Sequence, residues 1–308
     1  MPHWLTQWRR GATQFVIRLA IRSTRPLPSK VQHSAARSLG AIAARVPMLR
    51  QRVRENMRLA LGQDVPAQAE RLYFQHVGWF LSQALYTFHH GFAATPLPQA
   101  IKFDDSIRIL DEAAAEGRGV IITSPHWVGH ELAAAAINLR HPMVLLVRDA
   151  PTSERAARKL RWYRALGVET VLRSSGSSKM GDALAYLQAL RQGKVLAITP
   201  DLLTDGEQGA EVSIFGRSAR LHGGAFLLAI LARAPMIRTS GHWQDETLTL
   251  TFERAPTPTG DRTVAVRVAL QDWCRWFENK VKANPEIWLF WLDRRWSRLL
   301  RAPRGNTE

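Results

Sequence analysis

The sequence predicts an α/β protein, a mainly parallel sheet flanked by helices, carrying a basic helical arm at its N-terminus. Three observations carry that prediction. From about residue 104, short apolar runs alternate with longer amphipathic stretches, the pattern of strands joined by crossover helices. The first 60 residues hold twelve Lys or Arg and a single acid, Glu55, within a chain of net charge +16. At 308 residues, 46% hydrophobic and 22% charged, the chain can bury one large core, which excludes wholesale disorder.

Other classes fall away on composition. No apolar run of 18 residues occurs, so an ordinary transmembrane helix is not expected. Arg18 and Arg22 interrupt what would be the apolar segment of a secretory signal. One cysteine, Cys274, can neither close an intramolecular disulfide nor build a multi-cysteine metal site; with no histidine beside it, it reads as a buried structural thiol. The expected compartment is reducing and cytosol-facing.

Residues 1–60 form the expected arm. Trp4, Leu5, Trp8, Ala12, Phe15, Val16 and Leu19 fall within an arc of about 120° at helical pitch, with Arg9, Arg10, Gln14 and Arg18 outside it. Aromatic anchors opposite arginines suit the plane of an anionic membrane surface; the plainer reading is a core-packing helix with a solvated basic face. Nucleic acid competes for the charge, but no zinc-finger spacing, RNP-like segment or KH-type loop occurs, so no nucleic-acid partner is expected. Arg25-Pro26-Leu27-Pro28-Ser29 breaks the helix, and a second basic helical stretch ends at Arg58. Residues 61–103 read as an aromatic-rich helical segment: between Leu72 and Ile101 there is no formal charge, and Tyr73, Phe74, Trp79, Phe80, Tyr86, Phe88 and Phe92 crowd together as core, or as the wall of an acyl channel.

Residues 104–300 are the α/β body, and 301–308 a tail. Strands are expected at 120–123, 143–147, 168–172 and 195–198, with helices at 129–139, 152–166 and 178–191. Thr152 or Ser153 caps the second of these helices. Right-handed crossovers make such a sheet parallel and put ligands beyond the carboxyl ends of its strands.

His126 occupies such a place, in Ser124-Pro125-His126-Trp127-Val128-Gly129-His130-Glu131. With His126 on the entering loop and Glu131 in the first helical turn, the carboxylate can hold one imidazole nitrogen and leave the other to take a proton. The helix N-terminus offers backbone N–H groups to an oxyanion. His130 is the rival: with His126 it makes an i,i+4 pair, but His-x3-His-Glu is not the zinc-peptidase order and no third ligand is evident, so no metal is expected.

These residues belong to a longer series. Asn56 stands in Arg-Val-Arg-Glu-Asn-Met-Arg-Leu-Ala-Leu, then come His126 and Glu131, and Arg148 closing a strand. Gly193 follows, then Val195-Leu196-Ala197-Ile198-Thr199-Pro200-Asp201, Val212-Ser213-Ile214-Phe215-Gly216, and Asn284-Pro285-Glu286-Ile287-Trp288-Leu289-Phe290-Trp291 with Arg294-Arg295. In this order, from about Arg50 to Trp296, the chain resembles the bacterial lipid A biosynthesis acyltransferases, whose lauroyl and myristoyl transferases share a lysophospholipid-acyltransferase-like fold. The resemblance implies a glycerolipid-acyltransferase-like α/β domain on a membrane-associated N-terminal segment. It implies transfer of a fatty acyl chain from an acyl-acyl carrier protein to a hydroxyl of a glycolipid acceptor, at the cytoplasmic face of the bacterial inner membrane. By the same likeness His126 is the general base and Glu131 its partner, with Arg148 at the reaction centre. Arg161, Arg164 and Asp201 become substrate contacts, and no cofactor is implied. Asp201 reads equally as the cap of the next turn.

The family usually carries a longer apolar anchor; this arm is short, basic and interrupted, and so is expected to lie on the membrane. Asp149-Ala150-Pro151-Thr152-Ser153 lacks an asparagine common in the family, and Leu202-Leu203-Thr204 replaces a more polar sequence. Acceptor alternatives therefore stay open: a lysophospholipid, an ornithine-type lipid or a phosphoglycolipid. A non-catalytic basic membrane- or nucleic-acid-binding protein is the alternative class. Ser174-Ser175-Gly176-Ser177-Ser178-Lys179 offers backbone N–H groups to a phosphate but reads more simply as a loop and N-cap, and His222-Gly223-Gly224, before an apolar helix, resembles an oxyanion turn. Trp288, Trp291 and Trp296 are expected to pack or to touch the membrane.

Overall fold

In the computed structural model, residues 22–24, 29–62, 65–148, 152–173, 179–204 and 209–304 are described. After the helical residues 22–24, the described elements run α1 (Ser29–Arg45), α2 (Pro47–Leu61) and α3 (Ala69–His90), followed by the short α4 (Leu97–Ala100), β1 (Ile101–Phe103) and α5 (Ile107–Ala115). The alternating body continues through β2 (Val120–Thr123), α6 (His130–Asn138), β3 (Met143–Arg148), α7 (Ser153–Leu166), β4 (Glu169–Arg173), α8 (Lys179–Arg191) and β5 (Val195–Ile198). A hairpin of β6 (Ala210–Ile214) and β7 (Arg217–Leu221) leads to α9 (Gly224–Ala232), the long pair β8 (Met236–Gln244) and β9 (Thr247–Ala255), α10 (Arg262–Ala283) and α11 (Arg294–Arg301). Two 3-10 turns, Pro285–Ile287 and Leu289–Leu292, join the last two helices.

Seven strands make one sheet in the order β1-β9-β8-β2-β5-β3-β4. Every neighbour pairing in it is parallel except β8–β9. The sheet is buried on both faces. Ile121, Leu196 and Met236 point into one apolar cluster, while Val120, Ile122, Val195 and Ile237 point into the other. Strands covered on both sides read as unbroken apolar runs, which is why β2 and β5 announce themselves in the sequence. The expected strands and helices are present with ends shifted by a residue or so. Thr152 caps α7, its hydroxyl accepting the Arg155 amide at 3.3 Å. The β6–β7 and β8–β9 hairpins and the edge strand β1 are additions.

The front of the chain is built into this body. In α2, Val53, Asn56 and Met57 are fully buried, so residues 47–61 belong to the core and not to a separable arm ending at residue 60. A boundary at 103/104 likewise falls at the end of β1, which pairs with β9 through Ile101 and Leu248. Tyr73, Phe74 and Trp79 of α3 are core side chains. Gly40 of α1 lies so close to α3 that a Cβ there would stand 2.7 Å from Gly78 Cα. Residues 1–21, where the Trp4-to-Leu19 helix is expected, lie outside the described residues.

Candidate active site

The neighbouring strands β2 and β5 pair in register, Thr123 opposite Ile198. Both leave the sheet through a hydroxyl residue and a proline: Ser124-Pro125-His126 after β2, Thr199-Pro200-Asp201 after β5. Each proline disfavours helix at the residue before it and keeps the exit extended. Equal exits from registered strands bring His126 and Asp201 face to face at the carboxyl end of the sheet.

The contact is close. His126 Nδ1 donates to Asp201 Oδ1 at 2.6 Å, and the His126 backbone N–H donates to Oδ2 at 2.9 Å. The Trp288 indole N–H donates to the same Oδ2 at 3.0 Å, and Trp296 Nε1 holds the Asp201 carbonyl at 3.1 Å. Asp201 is 0% exposed, whereas 17% of the His126 side chain is open. Burial pushes the Asp201 carboxyl up, but the His126 charge and the donated hydrogen bonds outweigh it and leave the group below its ordinary value. With Nδ1–H given to the carboxylate, Nε2 is the nitrogen left to accept a proton. Across from it, 3.3 Å away, is the Thr199 hydroxyl.

A C-terminal clasp holds this loop. The Val128 amide donates to Ile287 O at 2.7 Å, and the Leu289 amide donates to His126 O at 2.8 Å. Phe290 lies against the imidazole with ring centroids 4.6 Å apart. Trp288 is fully buried among Phe215, Phe277, Trp291 and Trp296. Asn56 secures the clasp from α2, its Nδ2 donating to Trp291 O at 2.7 Å and Ser297 Oγ at 2.8 Å. Tyr73 OH reaches Leu289 O at 3.1 Å. Phe215, at the β6–β7 turn, takes φ +50°, unusual for so bulky a residue. Its ring is anchored on Trp288 and Trp296, and its amide donates to Glu278 Oε1 at 2.7 Å. The three tryptophans named from the sequence therefore pack; none is more than 2% exposed.

Several expectations change. The carboxylate on His126 is Asp201, not Glu131. Once helix α6 begins at His130, Glu131 is carried toward α7, where its two oxygens accept Trp162 Nε1 at 3.0 Å and Tyr163 OH at 2.8 Å. Burial, then the Glu131 charge and this hydrogen bond, push the Tyr163 hydroxyl well up, so it stays a donor. Asp201 is not an open contact: it is fully buried, with its carboxylate held by His126 and Trp288 and its carbonyl by Trp296. The amides of His126, Trp127, Val128 and His130 are already bonded, to Asp201, Pro125 O, Ile287 O and Trp127 O, and are not free for an oxyanion. His130 donates Nδ1–H to Trp127 O at 2.9 Å; burial and the nearby His126 hold its basicity below the ordinary imidazole range.

Arg148 ends β3 opposite Arg173 of β4, at the same end of the sheet as His126; its side chain lies outside the described residues. Arg161 and Arg164 are exposed on α7, with the Arg161 guanidinium 4.6 Å from the Phe88 ring centre. Neither has a hydrogen bond to His126 or Asp201 among the contacts of the described residues. Residues 174–178 lie outside the described residues. His222-Gly223-Gly224 opens α9, where a Cβ on Gly223 would meet Val266 Cγ1 at 2.4 Å. Cys274 is buried, and that burial raises its thiol far above the ordinary value. Among the described residues no group of three His, Cys, Asp or Glu side chains is arranged to hold a metal ion.

Sequence reasoning passed over Thr199 and the carboxylate role of Asp201. The trace in the sequence is a repeat, two buried strands each followed by hydroxyl-Pro and then His or Asp, which gains meaning only once β2 and β5 are seen to pair.

A buried carboxylate, an orienting hydrogen bond and a part-open imidazole together make a base able to take a proton from a hydroxyl. Over residues 4–298, nearly its whole length, the chain matches the family described as bacterial lipid A biosynthesis acyltransferase. No curated protein matches it. The chain belongs to that family and is an acyltransferase.

Proposed function

Starting from membership of the bacterial lipid A biosynthesis acyltransferase family, we propose that this protein moves a fatty acyl chain from an acyl-acyl carrier protein thioester to a hydroxyl of a lipid A precursor or similar glycolipid. The observation that carries the mechanism is the Asp201–His126 pair. An alcohol with a pKa far above neutrality must lose its proton as it attacks the thioester carbonyl. His126 Nε2 accepts that proton, Asp201 stabilises the imidazolium, and the proton then goes to the departing sulfur.

Arg148 is the side chain we assign to the thioester oxyanion or to an acceptor phosphate, supported by its place at the end of β3 and by guanidinium chemistry. The exposed Arg161 and Arg164 of α7 are offered to the acceptor's phosphates. Glu131 serves as a positioning residue, tying α6 to α7 beside the His126 loop.

The enzyme is proposed to work peripherally on the anionic cytoplasmic face of the inner membrane. Among the described residues no helix is long and apolar enough to cross a membrane. At the α1–α2 corner, Ile42 and Met48 are 57% and 66% exposed on either side of the exposed Arg45. Apolar tips beside a cation suit a headgroup region.

The test is mass spectrometry of purified protein incubated with acyl-acyl carrier protein and a lipid extract, wild type beside His126→Ala. A glycolipid gaining one acyl mass with wild type only is the expected result. A thioester left intact with every lipid offered overturns the reading.

A further inference from the structure

A second hollow in the molecule is built unlike the His126 site. A cavity of about 1210 Å³ lies between α1, α3, α4 and the β8–β9 turn, larger than the roughly 300–1,000 Å³ of most small-molecule sites. Trp243 forms one wall, and its indole N–H donates to Val128 O at 3.1 Å, so the cavity backs onto the loop that carries His126. Arg37 of α1 pairs with Glu246 of the turn and joins two of its sides.

One face of α3 gives the cavity its chemistry. His76, Trp79 and Gln83, at i, i+3 and i+7, all line it. Each carries a buried polar atom with no hydrogen-bond partner among the described residues: His76 Nδ1, Trp79 Nε1 and Gln83 Oε1. Trp79 itself is 6% exposed. Native proteins pair nearly all their buried polar atoms, so three such atoms on one helix face call for a partner from outside the chain.

The lining selects the class of that partner. Trp79 Nε1 only donates and Gln83 Oε1 only accepts, so the ligand must do both, as hydroxyl groups do. The wall carries the carboxylates Asp245, Glu246 and Glu286 against the Arg37 guanidinium, itself paired with Glu246. In a chain of net charge +16 this acidic lining is an exception, and it repels phosphates, including those of the acceptor proposed above. A simple cation would leave the Trp79 N–H without an acceptor. An acyl chain would leave all three polar atoms unpaired. Burial, helped by His242, lowers His76 to about 4, so its ring is neutral at pH 7. That ring stacks on Trp243, and the Trp79 and Trp243 ring centres are 4.3 Å apart, which adds an aromatic wall.

We infer that this cavity binds a neutral, polyhydroxylated ligand of the sugar class, a hexose or a disaccharide, at a site separate from the acyl-transfer centre. One hydroxyl accepts from Trp79 Nε1, another donates to Gln83 Oε1, and a third engages His76 Nδ1. The sugar arrives either free or as the uncharged headgroup of a glycolipid.

The experiment is saturation-transfer NMR of the full chain, titrated with glucose, mannose, sucrose and trehalose. Co-sedimentation with phosphatidylcholine vesicles, plain or carrying a monohexosyl diacylglycerol, runs beside it. Binding of a free sugar identifies a soluble ligand, and added retention on the sugar-bearing vesicles alone identifies a headgroup; either supports the site. Gln83→Met, close in volume, should weaken that binding roughly 5- to 10-fold, the scale of one neutral hydrogen bond. It should melt no lower than wild type, because it removes an unpaired buried atom. Trp79→Phe should weaken binding to a similar extent, and His126→Ala should leave it unchanged. No sugar bound in either form overturns the inference, as does binding that Gln83→Met leaves intact. Binding lost in His126→Ala but kept in Gln83→Met overturns it by moving the sugar to the transfer centre. Dodecanoate bound more tightly by Gln83→Met, with no sugar bound, gives the cavity to an acyl chain. Each of these results leaves acyl transfer at His126 standing, since the mass-spectrometric assay reads that separately.

Discussion

Trp288 donates its indole N–H to the same Asp201 oxygen that accepts the His126 backbone amide. An indole sealed among other aromatic rings therefore adds to the His126 contacts that hold the Asp201 carboxyl below its ordinary value, and the carboxylate orients the imidazole.

Trp288→Phe tests that link because it keeps the ring and removes the donor. Burial then pushes the Asp201 carboxyl up with one restraint fewer. The acid limb of the kcat profile should move to higher pH, and kcat should fall roughly 10- to 100-fold, the scale of a hydrogen bond to a charged group. A pH–rate series on the two proteins reads both effects. An unmoved limb would mean that the indole only fills space.

Asp201 and Glu131 should separate by their kind of damage. Asp201→Asn keeps the volume but lets the side-chain amide choose the wrong tautomer of His126; turnover should drop on the order of 10³- to 10⁴-fold, with the melting temperature changed far less. Glu131→Ala strands Trp162 N–H and Tyr163 O–H, so it should cost about 2–4 kcal/mol of stability and lose activity along with fold. Thermal melts beside kinetics decide the matter. Glu131→Ala melting like wild type while losing turnover would return Glu131 to the chemistry.

A third prediction concerns stability against acid. Burial, helped by the neighbouring His242, lowers His76 from 6.5 to about 4, and its ring stacks on Trp243. Between those values the unfolded chain takes up a proton that the folded chain refuses. Stability should therefore be full above pH 6.5 and decline as the pH falls to about 4, by about 3 kcal/mol. His76→Phe keeps the stack and should flatten that part of a pH series of denaturant melts. An unchanged slope would place the proton uptake elsewhere.

The parts of the molecule legible in the sequence share a cause. β2 and β5 are short, doubly covered strands, so their apolar runs stand out, and the helices between them carry regular periodicity and a good cap at Thr152. The β8–β9 pair was less visible: Thr247–Ala255 alternates in burial, but its partner carries Gly241 where a Cβ would strike the Trp127 ring at 2.5 Å, and no local pattern reports that constraint. The α2 helix looks like a basic surface element by charge, yet Val53, Asn56 and Met57 form its buried stripe, and Arg50 and Arg54 are partnered with Glu70.

His126 was singled out from residues alone, as a histidine that follows a buried strand and a proline. The family resemblance, too, lives in the order of short motifs along the chain. Which carboxylate serves that histidine could not be read in the same way. Glu131 is near in sequence, whereas Asp201 is 75 residues away and becomes its neighbour only because β2 and β5 pair in parallel register. Local chemistry follows from the side chains a segment contains, so the sequence by itself determined the fold class and the family and singled out His126. Partnership across the sheet is set by strand order and register, which are long-range packing outcomes, and so Asp201, Thr199 and Trp288 at the site were decided by the tertiary structure alone.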